Sequence, residues 1–368
     1  MGRIDASMNA DTAQSDGLTA QPLCVAIWID EQNLLNEFTL LRQMSVALSA
    51  GGVRVYIISE HDNADSLRAY TAGHWHVQSC TWINWVRTGR TGNEYHVAAE
   101  LHRHQISFIL LMGWSPAQAA VLSRCRDISV VRWHFDLIIR DDAKSEMVNV
   151  YASSAIRAAF KAPERAMVIS PGIYIGQDSE SQRSHSTGGD FILACLDVIH
   201  KPDEYAEFLR ALAGDGRLKS VLLLLLDAGD AKDEVWRIVR DMKLSDRVSF
   251  IPAVGAATAA IRNSDAVINI SSQTRWWHVG IEAAAARRAV VCRGAALMDD
   301  FDGDTCRLVR QSDDWADCLE ELRSDAIKTR TLCEHAYLRV KRRHAMSDFY
   351  DRLMQVTADL RRDAIPLR

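Results

Sequence analysis

The feature that most constrains the fold is an alternation of short apolar runs with segments of helical periodicity. In the second half of the chain, strands are predicted at residues 191–196, 221–226, 247–251, 266–270 and 289–292. Between them, apolar residues recur at helical spacing over residues 203–213, 233–242, 256–263 and 280–287. Apolar strands that alternate with helices are typical of a parallel sheet with helices on both faces. This half is therefore predicted to be a Rossmann-like α/β domain.

The first half follows the same pattern with less regularity. Strands are predicted at residues 23–29, 53–58, 106–112, 129–133, 148–151 and 166–170. Helices are predicted at residues 37–50, 116–124 and 153–161. The first two strands and their helix form a β-α-β unit, whose crossover should be right-handed. No element is predicted for the poorly periodic stretch that contains His74, Trp75, His76, Trp82 and Trp85.

A Ser-, Gln- and Gly-rich segment at residues 176–189 predicts a linker between two domains. The length of 368 residues also suits two domains. We therefore expect one doubly wound domain at residues 23–175 and a second at residues 190–345. The C-terminal region is predicted to be helical at residues 313–323, 326–342 and 347–361.

Charge, cysteine usage and hydropathy exclude several classes of function. With 43 basic and 48 acidic side chains, the net charge of −5 provides no basic field for nucleic acid. The eight cysteines form no Cys-x-x-Cys pair, which argues against a disulfide framework or zinc site and for a reducing cytoplasm. The longest aliphatic run, residues 221–226, is too short to span a bilayer. The polar residues 1–22 lack the pattern of a secretory signal and predict a disordered tail.

The predicted architecture indicates where a ligand would bind. Open parallel sheets bind ligands at the carboxyl ends of their strands, and two such sheets facing each other enclose a cleft. The most informative segment is residues 247–291, in which a polar-aromatic loop at 271–279 joins a buried strand to a helix. Hydroxyls and backbone N–H groups at such a helix start can hold phosphate. Glu282, predicted near the start of that helix, can accept hydrogen bonds from ribose.

This segment resembles the retaining GT-B glycosyltransferases often called glycosyl transferases group 1. In that family a strand is followed by a Ser, a Glu, a Phe-Gly pair, a second Glu that opens a helix, and a Gly-x-Pro. The residues that match are Ser271, Glu282, Ala283, Ala285, Val290 and Val291. The positions that depart from the family are Thr274 for the first Glu, Trp277 for Gly, and Arg287 and Ala289 for the later Gly and Pro.

Two other stretches support the resemblance. Lys201 matches the phosphate-binding lysine of the family, although the preceding Gly-Arg pair is replaced by Leu196 and Asp197. Asp197 would repel a pyrophosphate, and Arg275 or Arg293 can take the place of the missing arginine. The stretch at 130–135 resembles the family strand that ends in His, here His134.

Two further stretches extend the resemblance over residues 23–360. Pro171-Gly172 stands where the family has an Asn-Gly pair between its domains, and residues 302–309 are similar to its Asp-Gly-x-x-Gly-x-Leu-Val element, with Cys306 for the second Gly. The implied fold is α/β, with two Rossmann-like doubly wound domains that face each other across a cleft. In that fold the last helix, here residues 346–368, crosses back to the first domain.

The resemblance also implies a site. It assigns catalytic roles to His134 and Glu282. It assigns donor binding to Lys201, Ser271, Ser272, Thr274, Arg275, Trp277, His278 and Glu282. The implied activity is hexosyl transfer from a nucleotide sugar, with retained anomeric configuration, no cofactor and no obligatory metal. The implied acceptor is a glycan, a lipid-linked precursor or a small molecule, as in polysaccharide biosynthesis, and the expected location is the cytoplasm with at most a peripheral contact to the inner membrane surface.

Other interpretations stay open at this point. The altered motif residues also suit a degenerate protein that binds a sugar nucleotide or a protein partner without transfer, and a sugar-nucleotide epimerase is a third possibility. Glu282 can simply favour a helix N-terminus, and His134 can be a packed core histidine. Lys201 can be a solvated loop charge. Trp276 and Trp277 either fill the core or stack on a sugar or base.

Overall fold

The computed structural model describes most of the chain. The described residues are 23–29, 38–59, 80–84, 93–113, 116–134, 147–162, 166–173, 189–252, 257–271, 278–293, 300–310 and 314–363. The predicted tail at 1–22 and the predicted linker up to residue 188 lie outside these ranges, and so do His74, Trp75, His76 and Trp85. The limits of the predicted domains therefore stay predictions.

The first sheet has seven parallel strands in the described part of the chain. The strands are β1 (Cys24–Ile29), β2 (Arg54–Ser59), β3 (Cys80–Asn84), β4 (Phe108–Met112), β5 (Ser129–His134), β6 (Val148–Tyr151) and β7 (Met167–Val168). Their spatial order is β3-β2-β1-β4-β5-β6-β7. The helices of this half are α1 (Phe38–Ala50), α2 (Asn93–Arg103), α3 (Pro116–Leu122) and α4 (Ser154–Ala159).

The second sheet repeats the arrangement with six parallel strands. The strands are β8 (Phe191–Cys195), β9 (Val221–Asp227), β10 (Val248–Pro252), β11 (Ala266–Asn269), β12 (Ala289–Arg293) and β13 (Arg307–Val309). Their order is β10-β9-β8-β11-β12-β13. The helices between them are α5 (Pro202–Gly214), α6 (Lys232–Asp241), α7 (Ala257–Asn263) and α8 (His278–Ala285), with a 3₁₀ turn at Gly216–Leu218.

Both faces of each sheet are buried. Along β1, Val25, Ile27 and Ile29 enter one core and Cys24, Ala26 and Trp28 enter another, because successive side chains of a strand point to opposite faces. The second sheet divides its strands between two cores in the same way. Parallel strands buried on both sides read as continuous apolar runs, which explains why they could be predicted from the sequence.

Three helices close the chain: α9 (Asp314–Ser324), α10 (Ala326–Arg343) and α11 (Met346–Asp363). Helix α11 returns to the first sheet, where the ring of Phe349 lies 5.9 Å from that of Trp133. Gly172 makes room for this contact, since a Cβ there would lie 2.5 Å from Cβ of Phe349. Phe349 is fully buried, and such burial stabilises a fold by roughly 1.5–3 kcal/mol. The predicted crossing of the last helix is therefore confirmed, as is the predicted α/β fold class.

Four local features differ from the sequence predictions. Helix α2 was not expected, because its buried stripe is limited to Val97, Ala98 and Leu101. Strand β3, which includes Trp82, is a short edge strand within the stretch that appeared irregular. The three-residue strand β13 was also not predicted. Helix α8 already includes His278, so the prediction that His278 lies in a loop and Glu282 in the first helical turn is wrong.

Candidate functional site

The strand orders define a crevice in each half. Counted within its own half, the first sheet runs 3-2-1-4-5-6-7 and the second runs 3-2-1-4-5-6, so that chain direction across each sheet reverses between its first and fourth strands. Ligands of doubly wound proteins bind at the carboxyl ends of the strands beside this switch point. In the second sheet the switch point lies between β8 and β11, which pair directly. The segments that leave these two strands therefore form the floor of the candidate site.

A buried hydrogen bond ties the two sides of this switch point together. Asn269, the last residue of β11, donates from Nδ2 to Oδ2 of Asp197 over 2.6 Å. Asp197 is 1% exposed and follows β8 by two residues. Its carboxylate therefore serves the packing beneath the crevice. The expectation that Asp197 repels a pyrophosphate stays a prediction.

The loop after β8 is held rigidly by the loop after β9. The Ile199 amide donates to the Ala228 carbonyl over 2.9 Å, and the Ala231 amide donates to the Ile199 carbonyl over 3.1 Å. Gly229 fits between them with φ +108°, where a Cβ would lie 2.1 Å from the Ile199 oxygen. Only glycine tolerates this backbone and this approach. The loop is consequently a fixed platform for the two polar residues that end it.

These two residues are His200 and Lys201. Lys201 caps α5, its side chain is 54% exposed, and Nζ lies 3.8 Å from Oε1 of Glu204. Nδ1 of His200 lies 2.9 Å from Oδ1 of Asp230, a contact that lowers the pKa of Asp230. His200 was not selected from the sequence, although its position next to Lys201, after a predicted strand, could have indicated it. Lys201 is placed at the predicted edge of the sheet.

On the other side of the switch point, β11 leads to Ser271 and helix α8. His278 begins the described helix and is 3% exposed. Its Nε2 lies 3.3 Å from Oε1 of Glu282, one turn further along. Within the described ranges neither ring nitrogen of His278 has a hydrogen-bond partner. This buried pair can serve hydroxyl groups of a bound ligand, because a carboxylate accepts hydrogen bonds and an imidazole can donate or accept them.

Four of the predicted donor-binding residues, Ser272, Thr274, Arg275 and Trp277, lie outside the described residues, as does Trp276. Arg293 was suggested as a substitute for the arginine of the family's Gly-Arg pair, and it lies within the described residues. It ends β12, and its Nη2 donates to Oε2 of Glu207 on α5 over 2.6 Å. The structure thus brings Lys201, Ser271, His278, Glu282 and Arg293 to the carboxyl edge of the second sheet.

His134 belongs to the first sheet, at the carboxyl end of β5. The ring is 6% exposed, stacks on Tyr151 at 4.9 Å, and donates from Nε2 to Oδ1 of Asn149 over 2.8 Å. Burial lowers the pKa of His134 to about 4. The imidazole is therefore uncharged at neutral pH. This tight packing agrees with the alternative that His134 is a packed core histidine. The catalytic role of His134 stays a prediction.

Among the residues with described positions, no group of three His, Cys, Asp or Glu side chains is arranged to hold a metal ion. The helices of the described part of the chain include none that has the length and apolarity to cross a bilayer. The cysteines whose side chains are described are unbridged: Cys24, Cys125, Cys195, Cys292, Cys306, Cys318 and Cys333. Burial raises the pKa of Cys125 to about 11 and that of Cys333 to about 12.

Comparison with known proteins was informative at the level of structure. No protein-family model matches the sequence, and no curated protein sequence matches it. HepE from Anabaena, in complex with UDP and glucose, matches with a TM-score of 0.71 and 14% identity over 92% of this chain and 100% of HepE. Sucrose-phosphate synthase from Thermosynechococcus elongatus matches with 0.67 and 14% over 92% and 99% of the two chains.

A glycosyltransferase from Rickettsia africae matches in the same way, with a TM-score of 0.69 and 13% identity over 93% of this chain and 99% of the other. All three similarities extend over nearly the whole of both chains. At identities this low, the similarity establishes the fold. The chain therefore has the GT-B fold of two Rossmann-like domains, as its sequence predicted.

Proposed function

We propose that this chain is a glycosyltransferase that transfers a sugar from a nucleotide-sugar donor to an acceptor hydroxyl. The observation that carries the proposal is the position of Glu282 beside His278, buried where α8 leaves the switch point of the second sheet. Support comes from the similarity along the whole chain to structures that hold UDP or UDP-glucose. Similarity to the glycosyltransferase family at Ser271, Glu282 and Lys201 points the same way.

The donor site is the crevice between β8 and β11. Glu282 accepts hydrogen bonds from the ribose of the nucleotide, with His278 as its buried neighbour. Lys201 neutralises charge on the diphosphate, because its ammonium group is exposed at the end of the rigid loop after β8. Ser271 offers a hydroxyl beside the same phosphates. Ser272, Thr274, Arg275 and Trp277 complete the donor site in this proposal.

The reaction breaks the bond between the anomeric carbon and the leaving phosphate oxygen, which keeps the electron pair. The acceptor oxygen forms the new glycosidic bond, and its proton passes to the departing diphosphate. The charge that develops on the diphosphate is stabilised by the cations at the crevice, which is the largest contribution available here. His134, uncharged at neutral pH, contacts the transferred sugar as a hydrogen-bonding group. No metal ion or other cofactor takes part in this proposal.

Finer features of the proposal come from the family resemblance. They are a hexose as the transferred sugar, retention of the anomeric configuration, and a cytoplasmic site of action with at most peripheral contact to the membrane. The acceptor is a glycan, a lipid-linked precursor or a small molecule. WaaG, a glycosyltransferase involved in lipopolysaccharide biosynthesis, is among the proteins of similar structure, with a TM-score of 0.63 and 14% identity.

The first test is a titration with nucleoside diphosphates and nucleotide sugars, in which the midpoint of thermal unfolding is measured at each ligand concentration. A ligand at 100 times its Kd stabilises a protein by about 2.7 kcal/mol, which raises the midpoint by about a degree or more in a chain of this size. Glu282→Gln should lose most of the shift. Glu334→Gln is the matched control, because Glu334 forms an Arg–Glu pair with Arg287 at the other end of α8.

Product analysis then separates the possible activities. Formation of a glycoside together with a nucleoside diphosphate supports a transferase. Binding without turnover over a broad acceptor panel would favour a non-catalytic protein, and an altered free sugar nucleotide would favour an epimerase. The absence of any midpoint shift with all nucleotides would contradict the proposed function.

A further inference from the structure

Two cations at the candidate donor site are held by carboxylates on one helix. Nζ of Lys201 lies 3.8 Å from Oε1 of Glu204, and Nη2 of Arg293 donates to Oε2 of Glu207 over 2.6 Å. Glu204 and Glu207 are three residues apart on α5, so they lie on the same face of that helix. The lysine follows β8 and the arginine ends β12, and each of them pairs with a carboxylate of α5.

The Arg293–Glu207 pair is partly buried, with side chains 21% and 27% exposed. The guanidinium is not fully used by this contact, because Nη1 is buried and has no hydrogen-bond partner among the described residues. A guanidinium presents five N–H donors and binds phosphate oxygens in pairs. Arg293 therefore has the chemistry of a phosphate ligand and lies at the carboxyl edge where such a ligand is needed.

The loop after β8 supplies one cation at this edge rather than two. Asp197 stands in this loop where the family that the sequence resembles has the arginine of its Gly-Arg pair, and it is buried and accepts the hydrogen bond from Asn269. A diphosphate carries more negative charge than one lysine neutralises. A second cation must come from another element, and Arg293, which ends β12 at this edge and pairs with the partly exposed carboxylate of Glu207, is our candidate.

We propose that Arg293 and Lys201 together bind the diphosphate of the donor, and that Glu207 and Glu204 hold these cations in the free protein and give them up to phosphate. The inference rests on the proposed function and deepens it, because it assigns a residue of β12, Arg293, to the binding of the diphosphate. The carboxylates keep the empty site close to neutral and both cations near their working positions. The diphosphate then exchanges with a carboxylate partner at each cation.

The experiment measures Kd for UDP and for uridine by calorimetry on the full chain. Arg293→Gln should weaken UDP binding by about 10- to 100-fold, the factor equivalent to a charged hydrogen bond of about 1.5–3 kcal/mol. Uridine binding should not change, since uridine has no phosphate. Arg293→Lys should recover part of the UDP affinity. Glu207→Gln should tighten UDP binding several-fold, because a competing charge is removed.

Two variants control for unspecific effects. Arg307→Gln removes an arginine of similar burial that pairs with Glu321 at the amino end of β13, and Glu334→Gln removes the carboxylate that pairs with Arg287. Neither should change the UDP-to-uridine affinity ratio.

The outcomes separate the two proposals. If wild-type protein binds neither UDP nor any other nucleoside diphosphate, the proposed function is wrong and this inference fails with it. If wild-type protein binds UDP and Arg293→Gln leaves the UDP-to-uridine ratio unchanged, the inference alone is overturned. Weaker UDP binding by Glu207→Gln would overturn the proposal that Glu207 gives up Arg293 to the diphosphate.

Discussion

Asn269 reaches across the switch point of the second sheet and donates a 2.6 Å hydrogen bond to the buried carboxylate of Asp197. The two residues are 72 positions apart in the sequence, and Asn269 ends β11 whereas Asp197 follows the neighbouring strand β8 by two residues. In the family that the sequence resembles, this position carries an arginine, whereas in this chain Asp197 has a structural role. The consequences can be tested by substitution at this position.

Asp197→Arg should destabilise the protein without improving nucleotide binding. The side chain would enter a site that is 1% exposed and would leave Asn269 without its acceptor, and an uncompensated buried charge costs about 3–5 kcal/mol. Urea unfolding measures the loss. The control is Asp197→Asn, which keeps the shape and an acceptor oxygen and should cost less. A stable Asp197→Arg protein with tighter UDP binding would contradict this account of the site.

Gly229→Ala should disturb both stability and ligand binding. The new Cβ would lie 2.1 Å from the Ile199 oxygen, and the backbone has φ +108°. Relief requires the loop that carries Lys201 to move, so we expect a loss of roughly 1–3 kcal/mol and weaker UDP binding. Gly214→Ala is the control, because no atom lies within 4 Å of its added Cβ. Equal behaviour of the two variants in unfolding and UDP titrations would show that the loop is not a fixed platform.

His134 should make folding sensitive to mild acid. Burial lowers its folded-state pKa to about 4, whereas an unfolded histidine titrates near 6.5. Between these values the unfolded state binds more protons, so stability rises with pH and falls as pH drops from about 6.5 to 4. The full difference between the two pKa values corresponds to about 3 kcal/mol in the free energy of unfolding. Urea unfolding at pH 7.5 and pH 5 should show a smaller difference for His134→Gln than for wild type, and an unchanged difference would contradict the assignment.

His344 and Asp300 should control the return of the chain to the first half. Nδ1 of His344 lies 2.7 Å from the Pro171 carbonyl oxygen and Nε2 lies 2.9 Å from Oδ2 of Asp300, directly before α11. His344→Ala would leave the 5% exposed Asp300 side chain with less compensation, so we expect a loss of about 3–5 kcal/mol at pH 7. Limited proteolysis at the start of α11 and urea unfolding measure this loss. Unchanged cleavage and stability would contradict it.

The same contact predicts a response to acid. Burial by itself would raise the pKa of Asp300, but the hydrogen bonds and charges of His344 and Arg343 lower it below its usual value. The stabilisation is therefore complete above the unfolded carboxyl pKa of about 3.9 and is lost as pH falls below it. Asp300→Asn should remove this part of the pH dependence. A wild-type acid transition identical to that of the variant would contradict the prediction.

The order of elements was determined by the sequence. Strands buried on both faces are continuous apolar runs, and helices that cover them repeat apolar residues every three or four positions, so β1, β4, β8, β9 and β11 could be located within a residue or two. The alternation also predicted the parallel sheets, and with the family resemblance it predicted the return of the last helix. Lys201, Ser271 and Glu282 were selected through the family resemblance, which could be aligned to the strands and helices that local pattern identifies.

The direction in which these polar side chains point was decided only by the tertiary structure. The inward turn of Asp197 depends on Asn269, the orientation of Arg293 depends on Glu207 at a separation of 86 residues, and the docking of α11 depends on His344 and Asp300. Local periodicity records whether a residue is buried, because burial repeats with the element. It does not record the partner of a polar group, since that partner comes from an element brought alongside by folding.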